Sequence, residues 1–498
     1  MQTRHKGWTA FTAAAAALAT IGCGDLTTDT TPNGSGGDPS VETQQGAITA
    51  ASSALDPHTR FFIPPPNPGA VQQIIDLAKA RKLVDAARVT AMEATPHAVW
   101  FTDGTPSDVK AAVRKTMKSA ALLQTVPVLV AYDIPFRDCA QYSAGGAVDG
   151  DAYKAWIDGF AAGIGNAQAV VILEPDAVGI IPWSGEWCQP EVIDASGAKV
   201  HAPGADPDTR YALLNYAVDK LAASAPKALV YLDGTHSGWL NVGDISGRLV
   251  KAGVARTAGF YLNSSNYQLS PNLAQYGTWI SDCLAFATSV QPGNFDCPNQ
   301  YWNGGPLPTK IAQLLGEWQG VALDPNGVWS DDSDVPALNT SAVNYRYAGM
   351  LGSTVPTAHF VIDSSRNGKG PLNPVAYGSA PYNQPGSVDV SDSVLGKLKG
   401  GNWCNPPGAG LGLRPTANTG VALLDAYVWI KVPGESDGSC DIAGGARAWD
   451  FTAYNPWSVP TADQDHFDPL WGMVDPAAGA WFTQQALQLA QNATPPLF

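Results

Sequence analysis

The 498-residue chain has little charge, and the charge that it has is mostly negative. Asp, Glu, Lys and Arg make up 15% of the residues, and 44 acidic against 29 basic side chains give a formal net charge of −15. Nucleic-acid binding requires clustered basic side chains that neutralise phosphates, so this composition argues against a nucleic-acid partner. An acidic substrate is disfavoured for the same electrostatic reason. We therefore expect the chain to act on an uncharged ligand.

The chain also lacks the spacings of a zinc site and the long apolar runs of a membrane protein. Its seven histidines are scattered, and its cysteines form no CxxC or Cys/His pattern. We predict neither a metal nor any other cofactor. Beyond the N-terminus, no run reaches the ~20 apolar residues that a transmembrane helix requires. Membrane contact is therefore expected only through the N-terminal segment, and we expect a monomer.

The N-terminal segment has the pattern of an export signal. Arg4 and Lys6 precede an apolar, alanine-dominated stretch from Trp8 to Ala19. The next four residues, Thr-Ile-Gly-Cys, resemble a bacterial lipoprotein box that is cut before Cys23. We expect a lipid on Cys23 and an outer-membrane or cell-surface location. The alternative is an ordinary secretory signal with an incidental cysteine, which predicts a secreted protein.

Composition divides the chain into three parts. Residues 1–22 are the predicted signal peptide, and residues 23–56 are a predicted disordered tether rich in Thr, Gly, Ser and Pro. Residues 57–498 have a globular composition throughout and form one predicted catalytic domain.

Six cysteines remain when Cys23 is set aside. An even number of cysteines in an exported chain predicts disulfides. Sequence order suggests three neighbouring pairs, Cys139–Cys188, Cys283–Cys297 and Cys404–Cys440.

Seven short runs rich in Val, Ile, Tyr and Phe have the length of buried strands, and helical patterns separate them. This alternation predicts a parallel sheet with right-handed crossovers. An open doubly wound sheet and a barrel both fit the count, but polar residues at nearly every strand end favour a barrel. Long loops at 264–310, 322–340, 364–392 and 432–470 would build a cleft or tunnel at one face. The predicted strands are Val99–Thr102, Val128–Tyr132, Val170–Leu173, Leu229–Leu232, Gly259–Leu262, His359–Ile362 and Ala426–Ile430.

Carboxylates recur at the ends of these runs. A carboxyl at a strand end that faces a cleft can have its pKa raised by burial and by a like charge nearby, which makes it a general acid. The chain also has 16 Trp and 16 Tyr, whose flat rings suit the apolar faces of sugars, although core packing accounts for most of them. The five strand-end aspartates are Asp103, Asp133, Asp176, Asp233 and Asp363.

Six polar motifs follow the strands in a specific order. They read YDIPFRDC (132–139), EPD (174–176), YLDGTHSGW (231–239), DSSRNG (363–368), WCNPPG (403–408) and KVPGESDG (431–438). Each motif alone has a structural reading as an ion pair, a cap or a turn, but the ordered series resembles glycoside hydrolase family six. These cellulases hydrolyse β-1,4-glucan with inversion. The resemblance covers essentially the whole chain after the tether and implies an α/β fold, a distorted seven-stranded parallel β/α barrel.

The resemblance also implies a role for individual residues. Asp176 matches the general acid, and Asp138 matches the aspartate that keeps it protonated. Tyr132 matches a tyrosine that contacts the distorted sugar ring, and Asp437 matches the proposed base, whose proton a water chain could relay instead. Positions that match sugar contacts or supporting cleft residues are Trp100, Asp233, His236, Trp239, Asn263, Asn266, Trp403, Lys431 and Glu435.

The predicted activity is inverting hydrolysis of cellulose or a soluble β-1,4-glucan. The stretch after Arg137 resembles bacterial endoglucanases, so endo action is preferred, whereas a long 283–340 segment favours the alternative, an exo-acting cellobiohydrolase. Two smaller departures from the family pattern are Phe136 and the Gly234-Thr235 pair after Asp233. A non-catalytic glucan-binding lipoprotein is the alternative of another class, and retention of all three candidate carboxylates argues against it.

Overall fold

The computed structural model describes residues 55–185, 188–303, 320–373, 400–441, 446–447, 449–452 and 454–498. The predicted signal peptide, Cys23 and almost the whole predicted tether lie outside these residues. Among the helices of the described part, none combines the length and the apolar character needed to cross a membrane.

A curled sheet of seven parallel strands forms the centre of the molecule. The strands are β1 (Val99–Phe101), β2 (Val128–Ala131), β3 (Ala169–Leu173), β4 (Glu191–Ile193), β5 (Lys199–His201), β6 (Ala228–Asp233), β7 (Gly259–Leu262), β8 (His359–Asp363) and β9 (Leu424–Val428). All except β4 and β5 join it, in the order β1-β2-β3-β6-β7-β8-β9. Its two edges meet where Ala98 N–H donates to the Trp429 carbonyl at 2.8 Å. The predicted seven-stranded parallel architecture is confirmed.

Helices connect the strands and cover the outside of the sheet. They are α1 (Pro68–Lys79), α2 (Leu83–Glu93), α3 (Pro106–Leu122), α4 (Gly150–Ile164), α5 (Pro207–Ser224), α6 (Val242–Ala252), α7 (Ser270–Ala285), α8 (Ser341–Leu351) and α9 (Thr483–Gln491). Local sequence explains where several begin. At α3, Thr105 and Asp108 form a reciprocal capping box around Pro106, and at α4 the Asp149 carboxylate accepts from two N–H groups of the first turn.

The strands are buried on both faces, and their side chains alternate between two apolar clusters. Leu129 and Val171 pack outward against the helices, whereas Val130 and Ile172 pack inward within the curl of the sheet. This two-residue alternation puts successive side chains on opposite faces. Burial on both faces accounts for the continuous apolar runs in the sequence.

Three parts of the sequence prediction differ from the structure. The segment 264–310 was expected to be a loop, but helix α7 occupies Ser270–Ala285. Its apolar residues recur at helical spacing, at Leu273, Tyr276 and Ile280, and bury that face against the core. Strand β9 begins and ends two residues before the predicted run. The antiparallel pair β4–β5 was not predicted, and all six of its residues are exposed.

The three predicted disulfides are present. Cys139–Cys188 joins the loop after β2 to the loop after β3, and Cys404–Cys440 joins two loops near β9. Cys283–Cys297 closes the segment that follows α7. Cys139 lies one residue after Asp138, and Cys440 lies three residues after Asp437. Their two disulfides therefore restrain loops beside the candidate carboxylates.

Candidate active site

A cavity of about 910 Å³ lies where the loops after the parallel strands converge. All of the predicted catalytic and sugar-contacting residues except Asp233 and Asn263 line it. They are Trp100, Tyr132, Asp138, Asp176, His236, Trp239, Asn266, Trp403, Lys431, Glu435 and Asp437. Because the strands are parallel, their carboxyl ends meet at one face, and residues far apart in the sequence come together there.

Asp176 lies three residues beyond β3, in a left-handed backbone conformation with φ of +64°. Burial raises the pKa of its carboxyl well above the ordinary value, and the negative charges of Asp233, Asp138 and Asp437 raise it further. Asp176 therefore keeps its proton to a higher pH than an ordinary aspartate does. A protonated carboxyl that faces a cavity can act as a general acid.

The backbone around Asp176 is held by two buried carboxylates. Glu174 accepts from the N–H groups of Asp133 (2.9 Å) and Ile134 (3.0 Å), which ties this loop to the loop after β2. Asp233 accepts from Gly179 N–H at 3.1 Å and from Thr235 N–H at 2.8 Å. Asp233 is 2% exposed, so it lies behind the cavity wall.

Asp138 begins a tight turn that is closed where Gln141 N–H donates to the Asp138 carbonyl, and its carboxylate accepts from Ser143 N–H at 2.7 Å. Burial raises the pKa of Asp138 to about 6, although the Ser143 N–H and the charge of Arg137 oppose the rise. The Arg137 guanidinium donates to the carbonyls of Thr102 and Ser143 and lies 3.8 Å from the Asp133 carboxylate. Arg137 therefore serves mainly to hold the loop.

Asp437 occupies the opposite electrostatic environment. Its Oδ2 accepts from Arg366 Nη1 (2.8 Å), Asn405 N–H (3.0 Å) and the Tyr267 hydroxyl (3.2 Å), and its Oδ1 lies 3.4 Å from Lys431 Nζ. Burial alone would raise the pKa of Asp437, but the two cations and the hydrogen bonds outweigh burial and lower it. Asp437 is therefore a carboxylate at neutral pH.

Arg366 and Tyr267 were not selected from the sequence as site residues. Arg366 is fully buried, and its guanidinium lies 4.4 Å from the centre of the Tyr267 ring. The sequence could have pointed to Arg366, because it is the only basic residue of the strand-end motif DSSRNG in an acidic chain. A buried arginine of this kind needs a carboxylate partner. No comparable pattern marks Tyr267, whose contact with Asp437 depends on how two distant loops fold.

Aromatic side chains form part of the cavity wall. Trp100 packs edge-on against Tyr132 at 5.5 Å, and Trp403 packs against Tyr142 at 5.9 Å. Burial lowers the pKa of His236 to about 4, so its ring is neutral, and Nδ1 accepts from Gly238 N–H. Neutral rings and exposed aromatic faces suit an uncharged ligand.

The remaining predicted residues mainly hold the loops. Asn263 donates to the Asp363 carbonyl at 2.9 Å and accepts from Gln268 N–H at 3.0 Å, so it too lies behind the wall. Asp363 accepts from backbone N–H groups after β7, β8 and β9. Glu435, which lines the cavity, accepts from Asn67 Nδ2 at 3.0 Å. These contacts fix the loops that carry Asn266 and Lys431.

One group of potential metal ligands exists among the described residues, formed by Cys440, Asp468 and Asp475. Cys440 is in a disulfide and offers no thiolate. Asp468 is paired with Arg447 at 3.0 Å, and both side chains are fully buried. The group is therefore better explained as a buried ion pair than as a metal site.

Comparison with known families gives a match over most of the chain. The sequence profile of the family described as glycosyl hydrolases family 6 matches residues 57–493. Endoglucanase A of Thermobispora bispora is 29% identical over 395 residues, which are 78% of this chain and 61% of that protein. The 1,4-β-D-glucan cellobiohydrolase C of Emericella nidulans is 28% identical over 427 residues, 82% of this chain and 71% of that protein.

A solved structure has the same fold. The endoglucanase Cel6 of Mycobacterium tuberculosis, in complex with methyl-cellobiosyl-4-deoxy-4-thio-β-D-cellobioside, superposes with a TM-score of 0.53 and 27% identity. The match covers 89% of this chain and 99% of that one. The chain spans less than two thirds of the Thermobispora protein, so similarity extends over its folded part and not over the relative's full length.

Proposed function

The chain belongs to glycosyl hydrolases family 6, and from that membership and the geometry of the cavity we propose that it hydrolyses β-1,4-glucosidic bonds in cellulose or a related β-glucan with inversion. The observation that carries the proposal is that one cavity is lined by Asp176, whose pKa is raised by its surroundings, and by Asp437, whose pKa is lowered by two cations. Inversion requires an acid on one face of the sugar and a base-activated water on the other.

Asp176 donates its proton to the leaving glycosidic oxygen. Asp138 assists, because its negative charge raises the pKa of Asp176 and so keeps the proton on the acid between turnovers. Tyr132 is buried beside both carboxyls, and we assign to it contact with the distorted sugar ring. Proton donation to an otherwise poor leaving group lowers the barrier to bond cleavage.

Asp437 is the proposed base, and its two oxygens are not equivalent. Oδ2 already accepts three hydrogen bonds, whereas Oδ1 faces only the Lys431 ammonium among the contacts above. We assign proton acceptance to Oδ1. A carboxylate with a lowered pKa is a weak base, so passage of the proton through a chain of water molecules to Asp437 is the expected route.

Endo action is the preferred mode. The solved endoglucanase at 27% identity and the curated endoglucanases support it. The cellobiohydrolase of similar identity supports the alternative, exo action. The segments 374–399 and 442–445, which neighbour the cavity in sequence, lie outside the described residues.

We further propose that the protein is exported and carries a lipid on Cys23, or else is secreted. Three disulfides support an oxidising compartment. Mass spectrometry of the protein purified from membranes tests the anchor: the expected finding is a diacylglyceryl-modified Cys23 at the mature N-terminus. An unmodified N-terminus elsewhere would favour secretion.

The activity is tested on carboxymethylcellulose by following viscosity and reducing ends together, with the anomer of the first product observed by NMR. Rapid viscosity loss and an initial α-anomer are expected. Cellobiose release with little viscosity loss would indicate the cellobiohydrolase alternative. An initial β-anomer would overturn inversion, and no hydrolysis of any β-1,4-glucan would overturn the proposed function.

A further inference from the structure

A second group of buried residues lies behind Asp437 on the side away from the cavity. Its centre is Asn405, which is 0% exposed and follows the Cys404 disulfide. The chain adopts a left-handed conformation at Asn405, with φ of +39°, and asparagine tolerates this better than most residues. Asn405 belongs to the WCNPPG motif, but the resemblance gives it no role of its own, and it does not line the cavity.

Asn405 contacts Asp437 in both directions. The Asn405 backbone N–H donates to Asp437 Oδ2 at 3.0 Å, and the Asp437 backbone N–H donates back to Asn405 Oδ1 at 2.9 Å. The first bond fixes the carboxylate, and the second fixes the backbone that carries it. Two reciprocal bonds leave the loop of Asp437 little freedom to rotate relative to Asn405.

The surrounding groups determine which way the Asn405 amide faces. Its Nδ2 lies 3.0 Å from both the Gly438 carbonyl and Asp475 Oδ2 and 2.9 Å from Ser436 Oγ, so its two hydrogens are shared among three acceptors. A carbonyl can only accept, so the nitrogen must face Gly438. A backbone N–H can only donate, so the oxygen must face Asp437. The amide is therefore locked in the one orientation that holds both sides of Asp437.

Asp475 supports this orientation from behind. Carboxylate oxygens of Asp475 and Asp468 lie within 4.8 Å of each other, and a hydrogen bond between the two carboxyls contributes to the raised pKa of Asp475. Two buried carboxyls this close to one another cannot both be ionised cheaply, so one holds a proton. Burial and the charge of Asp468 raise the pKa of Asp475 to about 9, which assigns the proton to Asp475.

We propose that Asn405 is a positioning residue for Asp437, which holds the carboxylate of the candidate base through its backbone N–H and holds the base's loop through its amide. Asp475, as a neutral acid, fixes the amide of Asn405. This inference rests on the proposed function, because positioning matters only if Asp437 takes part in hydrolysis.

The first test is Asn405→Gly, since glycine accepts the positive φ and the substitution removes only the side chain. We expect kcat to fall by about 10–100-fold with little change in KM, as is typical when a partner that orients a reacting group is removed. In a plot of kcat against pH, the fall in kcat on the acidic side (the acid limb) should move to higher pH. The reason is that a loosely held Asp437 carboxylate is less stabilised as an anion. Wild-type kcat and an unmoved limb would overturn the proposal.

Other groups near Asp437 could also affect that limb. The cations Arg366 and Lys431 and the Tyr267 hydroxyl face its oxygens, and Asp138 and Asp176 lie across the cavity. Asp138, with a pKa of about 6, can produce an acid limb of its own, so the profile is repeated in an Asp138→Asn background. A shift that persists there belongs to Asp437, whereas a shift that disappears would contradict the assignment.

Asn339→Ala is the matched control, because Asn339 is an equally buried amide that holds another loop through Ser333 and Ser341. It should lower stability without moving the pH profile. If it moves the acid limb as Asn405→Gly does, the effect is general loosening and the positioning role fails.

Asp475 provides a test that does not depend on folding of an Asn405 variant. Asp475→Asn resembles the neutral acid and keeps an oxygen for Asn405, so it should retain activity and the wild-type pH profile. Asp475→Ala should reproduce the fall in kcat and the shifted limb. Equal behaviour of the two variants would overturn the proposal. An inactive wild-type protein would instead overturn the proposed function.

Discussion

The two sides of the cavity contain the same type of residue in opposite electrostatic environments. On the side of β2 and β3, Asp138 and Asp176 are buried beside other carboxyls, and their pKa values are raised. On the side of β9, Asp437 is also buried, at 8% exposed, but Arg366 and Lys431 hold its pKa low. Burial is therefore common to both sides, and the neighbouring charges decide which carboxyl carries the proton.

The difference predicts a division of labour between the two sides. A raised pKa suits a proton donor and a lowered pKa suits a permanent negative charge beside the attacking water. Each prediction below changes one side and leaves the other intact, so that the two can be separated.

Removing the proton donor should have the largest effect. Asp176→Asn keeps the shape and neutral charge of the protonated acid but cannot give up a proton, so kcat on cellulose should fall by about 10²–10⁴-fold. Binding of cello-oligosaccharide, measured by calorimetry, should be unchanged. Asp296→Asn, at an exposed site, is the control and should behave as wild type. Near wild-type turnover of Asp176→Asn would contradict the assignment of the acid.

On the β9 side of the cavity, the change with the next largest expected effect is Arg366→Met. It removes the closer of the two cations, at 2.8 Å from Asp437 Oδ2, and leaves Lys431 at 3.4 Å. The pKa of Asp437 should rise, so the acid limb of the kcat profile should move to higher pH. Breaking a buried ion pair should also lower the free energy of unfolding by about 3–5 kcal/mol. Arg366→Lys retains the charge and should shift the limb less; equal shifts for both variants would argue against a charge effect.

The sequence alone identifies the two carboxyls behind these predictions, but not the residues that surround Asp437. Asp176 and Asp437 were both predicted, because each stands in a motif with a specific order along the chain. The resemblance also implied their opposite roles as acid and base, but the groups that keep Asp437 ionised were not predicted, because Arg366 and Tyr267 reach it from the loops after β8 and β7. The number of strands could be predicted from the apolar runs. Helix α7 was not predicted, because the Pro and Gly residues around it were interpreted as a loop.

A smaller change on the base side is Tyr267→Phe. It removes one of three donors to Asp437 Oδ2, and both cations remain. A hydrogen bond to a charged group contributes about 1.5–3 kcal/mol, so kcat should fall by roughly 10-fold and the acid limb should shift less than in Arg366→Met. If Tyr267→Phe has the larger shift of the two, hydrogen bonding rather than charge sets the ionisation of Asp437.

The smallest effect is expected in the pH dependence of stability on the acid side. The pKa of Asp138 in the folded state, about 6, lies above the ordinary value of 3.8. Its contribution to stability is therefore fully present below pH 3.8 and is lost as the pH rises to about 6. The full shift would correspond to about 3 kcal/mol, but solvent screens the half-buried carboxyl, so Asp138→Asn, which does not ionise, should be more stable than wild type by about 1–2 kcal/mol at pH 7. The two proteins should converge at pH 4 in denaturant titrations, and a constant difference between pH 4 and 7 would contradict the raised pKa.

The central claim is that one cavity holds a protonated aspartate and an ionised aspartate at the same pH. Infrared difference spectra of the protein at pH 7, recorded against Asp176→Asn and Asp437→Asn, measure this directly. The first variant should lose the carbonyl band of a protonated carboxyl, and the second should lose the band of a carboxylate. Loss of a carboxylate band in Asp176→Asn, or of a protonated band in Asp437→Asn, would contradict the account.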